Sequence, residues 1–506
     1  MAVIDPTHSP AWAASLAATQ VKFGHDLDAA GFTNDKPGVW QGELEVASLA
    51  GATAITELEI EIPDGFPFEP PKVTDIGMES TRTWHHNLDW SLCLYTRRGV
   101  FDRPWQTVEG LLDRIQDWFG NAAAGWPDDP PDLDLERYFA RVADFVTHDN
   151  IDALMGRPVS AHRLPHRWHI DRVGAMPTKK RRRKNRRWGW AGDLGDLEHP
   201  VFDWPTVHAR LGDAAPSIET RIRDGRYQFL LLQYQRHSHS GVIVLFTTTD
   251  SGNIKLRAGQ AANDSAATRR LRAGPPDDVS VLAKRSVAIV GMGAVGSFIA
   301  DHLVRSGIKA LHLVDFDILR PGNCVRHFAG VEYAGEYKTK AVAELLAATG
   351  RISRSAISTT EEALTPNLAA DLLAEHDLVL DATADDGTRG LLAHLARSAI
   401  DHDLPVALVS AATYRMGGLI RSDRWPRSSE SPDPIPAHPD GELELREGGC
   451  GDPVSPTPAH AVVAAAALAS RHAIDELTGH RALPDSIIEV LAPQPDEPYN
   501  VLGTLK

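Results

Sequence analysis

Two of the chain's 3 cysteines stand where a thiol can do chemistry. Cys450 lies in "LREGGCGDPVSP", between glycine and Asp452, in a Gly/Pro loop ahead of an Ala-rich helical run. A loop cysteine near a helix N-terminus gains thiolate character, and the thiolate is the nucleophile. Cys93 lies in "HHNLDWSLCLY", after the triplet His85, His86 and Asn87. Leu92 and Leu94 flank it, so by itself it fits a buried strand residue as well as a nucleophile. A third cluster suits phosphate. Gly291, Gly293 and Gly296 spell G-x-G-x-x-G between an apolar strand and a helix, letting phosphates approach the backbone at a helix N-terminus. Asp315 ends the next strand, where a carboxylate can accept hydrogen bonds from a ribose. This pattern suits NAD, FAD or ATP alike.

The elements that must position these groups fall into three regions. Residues 1–128 open with a helix, then alternate as "GELEVASL" and "AITELEIEIP", the period of antiparallel strands. Pro67, Pro70 and Pro71 follow in a turn that excludes helix and central strand. "TVEGLLDRIQDWFG" then reads as a helix ending at Gly120. Residues 129–278 form a linker domain of unknown role, with two expected strands in "YQFLLLQYQ" and "GVIVLFTTT", and "AGQAANDSAATRRLRAGPPDD" as a connecting segment. From 279 to 506 strands and helices alternate, the mark of a parallel sheet.

Composition narrows the function classes. Too few cysteines are present for a disulfide framework, and no C-x-x-C pair exists for zinc. The N-terminus lacks a secretory pattern. The longest apolar run, "AVVAAAALA" from Ala461, is far short of a membrane span. The expectation is a cytoplasmic protein with free thiols. A net charge of −16 argues against general nucleic-acid binding. The basic run "KKRRRKNRR", residues 179–187, reads as a solvated loop or, alternatively, as a docking patch for an acidic protein surface.

Further motifs carry a resemblance. "DFDILRPGNCVRHFAG", "GEYKTKAVAELL" and "LDATADDGTR" follow the glycine turn in order, and residues 283–425 resemble the ubiquitin-activating and ThiF/MoeB-type adenylation family. The resemblance implies ATP as nucleotide and a protein C-terminal carboxylate as the activated group. It gives Asp315 the ribose, gives Asn323, Arg326 and Lys338 the triphosphate, and offers Asp381 or Asp385 for Mg2+. It also makes Cys450 the acceptor of the activated carboxylate as a thioester, implies a homodimer, and leaves Cys324 as a packing residue. "FPFEPPKV", "HHN", "LCLY" and Trp105 resemble, in order, the ubiquitin-conjugating fold. That resemblance makes Cys93 the second thioester site and Asn87 the oxyanion or loop-shaping amide, with His85 mainly structural.

Together the regions resemble bacterial fusions of a conjugating-like and an activating-like domain in CBASS anti-phage operons. The expected architecture is α/β and α+β multidomain: a conjugating-like α+β domain at 1–128, the linker domain at 129–278, and a Rossmann-like adenylation domain with its cysteine loop at 279–506. The expected partners are a modifier with an exposed C-terminus and a target amine. The modifier is expected to be a cyclic-oligonucleotide synthase or, alternatively, a small ubiquitin-like protein. A nucleotide-sensing interaction protein is the non-enzymatic alternative. An NAD-linked oxidoreductase would need a hydride-transfer site with an acid/base residue, and none is found.

Overall fold

A computed structural model describes residues 11–47, 53–77, 82–95, 103–127, 134–174, 185–237, 239–402, 405–425, 434–439, 441, 445–446 and 453–505. The chain divides into two compact units at Ser265/Ala266.

Unit 1 begins with helix α1 (Ala11–Ala29) and a four-stranded antiparallel meander in the order β1 (Thr33–Lys36), β2 (Val39–Ala47), β3 (Thr53–Glu61), β4 (Lys72–Asp75). The alternation seen in sequence sets its register: Leu58 and Ile60 point inward with no exposure, while Glu57 and Glu61 on either side are exposed. The Pro-rich turn separates β3 from β4, and Trp105 is pinned over it by donating from Nε1 to Pro67 O at 2.9 Å. Helix α2 (Val108–Ala123) buries Leu111, Ile115, Trp118 and Phe119. It passes the expected stop at Gly120 by 3 residues, because that glycine stays helical and exposed.

The middle region holds more structure than its sequence shows. Strands β5 (Ala140–His148), β6 (Arg157–Arg163), β7 (Trp168–Val173), β8 (Arg186–Asp196), β9 (Phe229–Arg236), β10 (His239–Asp250) and β11 (Asn253–Asn263) close a barrel in the order β10-β11-β5-β7-β6-β8-β9. Helices α3 (Trp204–Arg210) and α4 (Ala215–Arg223) lie between β8 and β9 in the chain. Two sequence expectations change here. Residues 258–263, read as part of a connection, complete β11 and pair with β5. The basic run ends in strand: Arg186 and Arg187 belong to β8 and pair with Asp171 at 2.9 Å and Asp144 at 3.1 Å. Residues 179–184 lie outside the described residues. One core runs from Phe23 and Leu27 through Trp118 to Tyr138, Leu230 and Tyr234, so meander and barrel share their packing.

Unit 2 opens with short helices α5 (Ala266–Arg270) and α6 (Pro276–Leu282). Then come β12 (Ser286–Val290), α7 (Ala294–Ser306), β13 (Ala310–Val314), α8 (Lys338–Ala348), β14 (Ile357–Thr360), α9 (Pro366–Glu375), β15 (Leu378–Asp381), α10 (Asp386–Asp401), β16 (Leu408–Tyr414) and β17 (Leu419–Trp425). A two-residue pair, β18 (Leu445–Arg446) and β19 (Pro453–Val454), precedes α11 (Ala459–Thr478), β20 (Ser486–Val490) and β21 (Gly503–Leu505). The main sheet runs β14-β13-β12-β15-β16-β17-β20-β21, with its first five strands parallel. This is a Rossmann-type order. From β12 the chain winds one way through β13 and β14, then returns to the other side with β15. Ligands bind such sheets at the carboxyl ends of the strands where the order reverses.

Candidate active site

In unit 2 the switch point gathers the expected phosphate-site residues. Val290 and Asp381 are register partners at the ends of β12 and β15, and Gly291 follows directly. Each glycine of the turn has its own steric reason. Gly291 has φ of 90°, and a Cβ there would lie 2.8 Å from Thr383 N. Gly296 lets α7 pack on the turn, since a Cβ would lie 1.9 Å from Gly291 O. A Cβ on Gly293 would meet nothing within 4 Å. Gly293 is also the N-cap of α7 and supplies no side-chain cap. Open space therefore faces helix N–H groups that lack intrahelical partners, an arrangement suited to an anion.

The carboxylates and cations around the turn are largely engaged with one another. Asp315 accepts from Met292 N at 2.6 Å and from Asp317 N at 2.8 Å, so it braces the glycine turn. Lys338, the first residue of α8, is buried in an ion pair with Asp317. Asn323 turns its Oδ1 back to accept from Arg320 N at 3.1 Å, fixing the loop that carries Arg326. Arg326 donates to Ser455 O at 2.7 Å. Cys324 is half-buried and packs with Leu319, Ala329 and Ala341, as expected.

The two metal candidates differ. Asp381 is buried, with Oδ1 accepting from Thr383 N and Oγ1, while Oδ2 has no hydrogen-bond partner. Burial pushes its carboxyl up, against the Thr383 hydrogen bonds and the nearby Arg389, whose Nε lies 4.0 Å from Oδ2. Asp385 is exposed and caps α10 by accepting from Thr388 N at 2.7 Å, which holds its carboxyl low. Among the described residues no group of three or more His, Cys, Asp or Glu side chains is placed to hold a metal.

Sequence reading missed His327. It accepts from Ala329 N at Nδ1, so the other nitrogen, 2.8 Å from Met292 O, must carry the proton. This neutral ring, kept so mainly by burial, ties the Arg326 segment to the glycine turn. The only signal was its place beside Arg326. Cys450 lies outside the described residues. Its stretch, 447–452, is bracketed by the β18–β19 pair, in which Arg446 partners Pro453.

In unit 1, Cys93 is half-buried and donates its N–H to His85 O at 2.8 Å. Burial pushes its thiol up, but a hydrogen bond with the His85 side chain and the charge and hydrogen bond of Arg137 outweigh this. The net effect lowers the thiol below its ordinary range. His85, read as mainly structural, therefore also meets the sulfur. Its backbone holds φ of 65°, uncommon outside glycine. That conformation is fixed by the Cys93 bond and by His85 N donating to the Tyr138 hydroxyl at 3.0 Å.

Asn87 donates from Nδ2 to Ser91 Oγ at 2.9 Å, and Ser91 donates to Asp89 at 2.7 Å. Burial raises the Asp89 carboxyl, yet Lys72 at 2.6 Å and Ser91 bring it down to about 2. Asn87 thus ties down the loop before Cys93. His86 is fully buried, its ring 4.7 Å from that of Trp118, and its Nδ1 accepts from Thr83 N. A groove of about 360 Å³ beside this loop is lined by Asn87, Leu88, Asp89, Arg137, Phe139 and Arg141.

Comparison with known proteins bears on unit 2 above all. Residues 267–430 match the model of the ThiF family. The chain is similar to "Uncharacterized protein y4oA" of Sinorhizobium fredii, 35% identical over 24% of this chain and 22% of that protein. It is 28% identical to "ATP-dependent ubiquitin transferase-like protein Cap2" of Enterobacter hormaechei, over 43% of this chain and 36% of that protein. It is 35% identical to "Adenylyltransferase and sulfurtransferase MOCS3" of Bos taurus, over 28% and 29%. The chain therefore spans well under half the length of each of these relatives.

Proposed function

We propose, from the premise that residues 267–430 form a ThiF-family domain, that the chain activates a protein C-terminus with ATP and passes it between two thiols to an amine. The observation that carries this reading is the glycine turn at the switch point, open at Gly293, with Arg326, Lys338 and Asp381 on the segments around it. Adenylation brings a carboxylate against the α-phosphate. Its oxygen bonds to phosphorus as the bond to the β-phosphate oxygen breaks and pyrophosphate leaves. Two anions meet in that step, so fixed cations and N–H donors lower its barrier. Arg326 and the α7 N-terminus supply them here, and Lys338 does so by exchanging Asp317 for phosphate.

The donor set around Asp381 fits Mg2+. Asp381 Oδ2, a buried carboxylate oxygen without a hydrogen-bond partner, would hold it with Asp385 nearby in sequence, as suits an ion that takes one or two protein carboxylates and completes its shell from phosphates. Mg2+ would offset charge on the triphosphate. Next, the Cys450 thiolate attacks the acyl adenylate, a C–S bond forms and AMP leaves. What supports giving this step to Cys450 is that Arg326 binds Ser455, which follows Cys450 by 5 residues in the sequence.

Unit 1 supports the second half of the reading. One helix, a four-stranded meander with a Pro-rich turn before its last strand, Cys93 and a second helix follow in the order of a ubiquitin-conjugating fold. The Cys93 thiol is held below its ordinary range, which favours acyl transfer to it. The modifier we favour is a cyclic-oligonucleotide synthase in anti-phage defence, and the enzyme is read as a homodimer through residues 280–500. ATP–pyrophosphate exchange in the presence of modifier tests the first step. Arg326→Ala should lower exchange at least 100-fold, as losing a transition-state donor does, with the melting curve unchanged. Wild-type exchange in that variant removes Arg326 from the reaction.

A further inference from the structure

Cys93 sits among residues from two parts of unit 1. Arg137 and Tyr138 come from the single turn, Leu135–Tyr138, that leads into barrel strand β5. The barrel holds this turn firmly, with Leu135 N donating to the Tyr234 hydroxyl at 3.3 Å. A second tie runs the other way, as Trp84 donates from Nε1 to Glu198 O at 2.8 Å and lies 4.3 Å below the Arg236 guanidinium. Tyr138 then fixes the His85 backbone. The Arg137 side chain is mostly buried, 17% exposed, and steadied by Asp134 at 3.4 Å. It lines the groove with Asn87, one residue before the Tyr138 that holds His85, and its charge and hydrogen bonding help bring the Cys93 thiol down.

We infer that the barrel completes the Cys93 site, with Arg137 as a catalytic residue that stabilises the sulfur whenever it bears negative charge. This inference rests on the reading of Cys93 as an acyl carrier. When an amine attacks the thioester, an N–C bond forms and the C–S bond breaks. The electron pair goes to Sγ, and the amine's proton leaves to water. A planar guanidinium at the sulfur stabilises that leaving thiolate, and no reorganisation is needed because Asp134 and burial already hold it in place. The same charge makes the free thiol a better acceptor from another thioester. The middle region, whose role the sequence left blank, thereby gains one.

The test separates Arg137 from the wider reading, because it first needs neither ATP nor modifier. Full-length protein is alkylated with iodoacetamide across pH, and the Cys93 peptide is followed by mass spectrometry. Arg137→Ala should move the midpoint of alkylation to higher pH and slow alkylation at neutral pH severalfold, while Arg137→Lys should fall between. With a modifier thioester preloaded on Cys93, Arg137→Ala should discharge to hydroxylamine or lysine about 100-fold more slowly. A purely structural role would lower the melting temperature and leave the alkylation midpoint in place in both variants. That result overturns the proposal. If Arg137→Ala fails to fold, an unmoved midpoint in Arg137→Lys and Arg137→Gln overturns it equally. Failure to charge Cys93 at all, with the midpoint shifted as expected, would count against the conjugation reading and not against Arg137.

Discussion

The most exacting single residue in unit 1 is His86. It is buried against Trp118 with Arg82 and His85 nearby, and burial first, then those charges, lower its ionisation from 6.5 to about 4. The folded protein therefore refuses a proton that the unfolded chain accepts. Above pH 6.5 both states are neutral at this ring, and its contribution to stability is complete. Between pH 6.5 and about 4 stability falls as pH falls, by about 3 kcal/mol at the low end. Urea unfolding followed by tryptophan fluorescence at pH 7 and pH 4.5 should show this slope. His86→Gln, which keeps an acceptor for Thr83 N and cannot ionise, should flatten it. An unchanged slope in that variant would assign the acid sensitivity to other groups. His86 shows how far sequence carries: its place beside Asn87 was legible, but its burial was not, because it depends on packing against a helix 32 residues away.

At the scale of elements, the glycine turn offers a clean division between folding and function. The sequence pattern and flanking strand and helix were enough to place it, since period and spacing are local. Gly296 and Gly293 nevertheless do different work. Gly296→Ala drives a methyl group into the Gly291 carbonyl and should cost about 3 kcal/mol or more. Gly293→Ala has free space and should leave stability within about 1 kcal/mol of wild type. Its methyl group would project toward the region proposed for phosphate, so nucleotide affinity should fall. Thermal melts with and without ATP separate the two: Gly296→Ala melts lower in both, whereas Gly293→Ala loses only the ligand-induced gain. Equal ligand-induced gains in Gly293→Ala and wild type would mean that phosphate does not approach here. The barrel, by contrast, was nearly invisible beforehand. β6 and β8 carry arginines, glycines and a proline in place of an apolar alternation. The barrel's closure rests on partners distant in sequence, such as β11 on β5.

For the molecule as a whole, the proposal orders the two thiols. Adenylate forms in unit 2, which also carries Cys450, so Cys450 should be charged first and Cys93 second. Moving an acyl group between thiols is nearly isoenergetic and needs mainly alignment. Cys450→Ala should keep pyrophosphate exchange and lose both thioesters on non-reducing gels. Cys93→Ala should keep a reducible adduct on Cys450 and lose conjugation to amines. Charging of Cys93 in Cys450→Ala would show direct transfer from the adenylate and remove the relay. Each unit has cores of its own, so unit 2 expressed as 266–506 should still catalyse exchange.

The barrel's closure also fixes when the Cys93 site can mature. Strand β5, which continues from the Arg137 turn, is completed by β11, the last strand of unit 1, and the two pair over Arg257 to Asn263. A chain emerging from the ribosome can build the meander and α2 early, from neighbours in sequence. The turn carrying Arg137 gains the last of its supports only when Asn263 has been made, more than 100 residues later. Such long-range closure is slow compared with local pairing. A nascent chain thus displays Cys93 first without its cationic neighbour, and acquires that neighbour only when the barrel shuts.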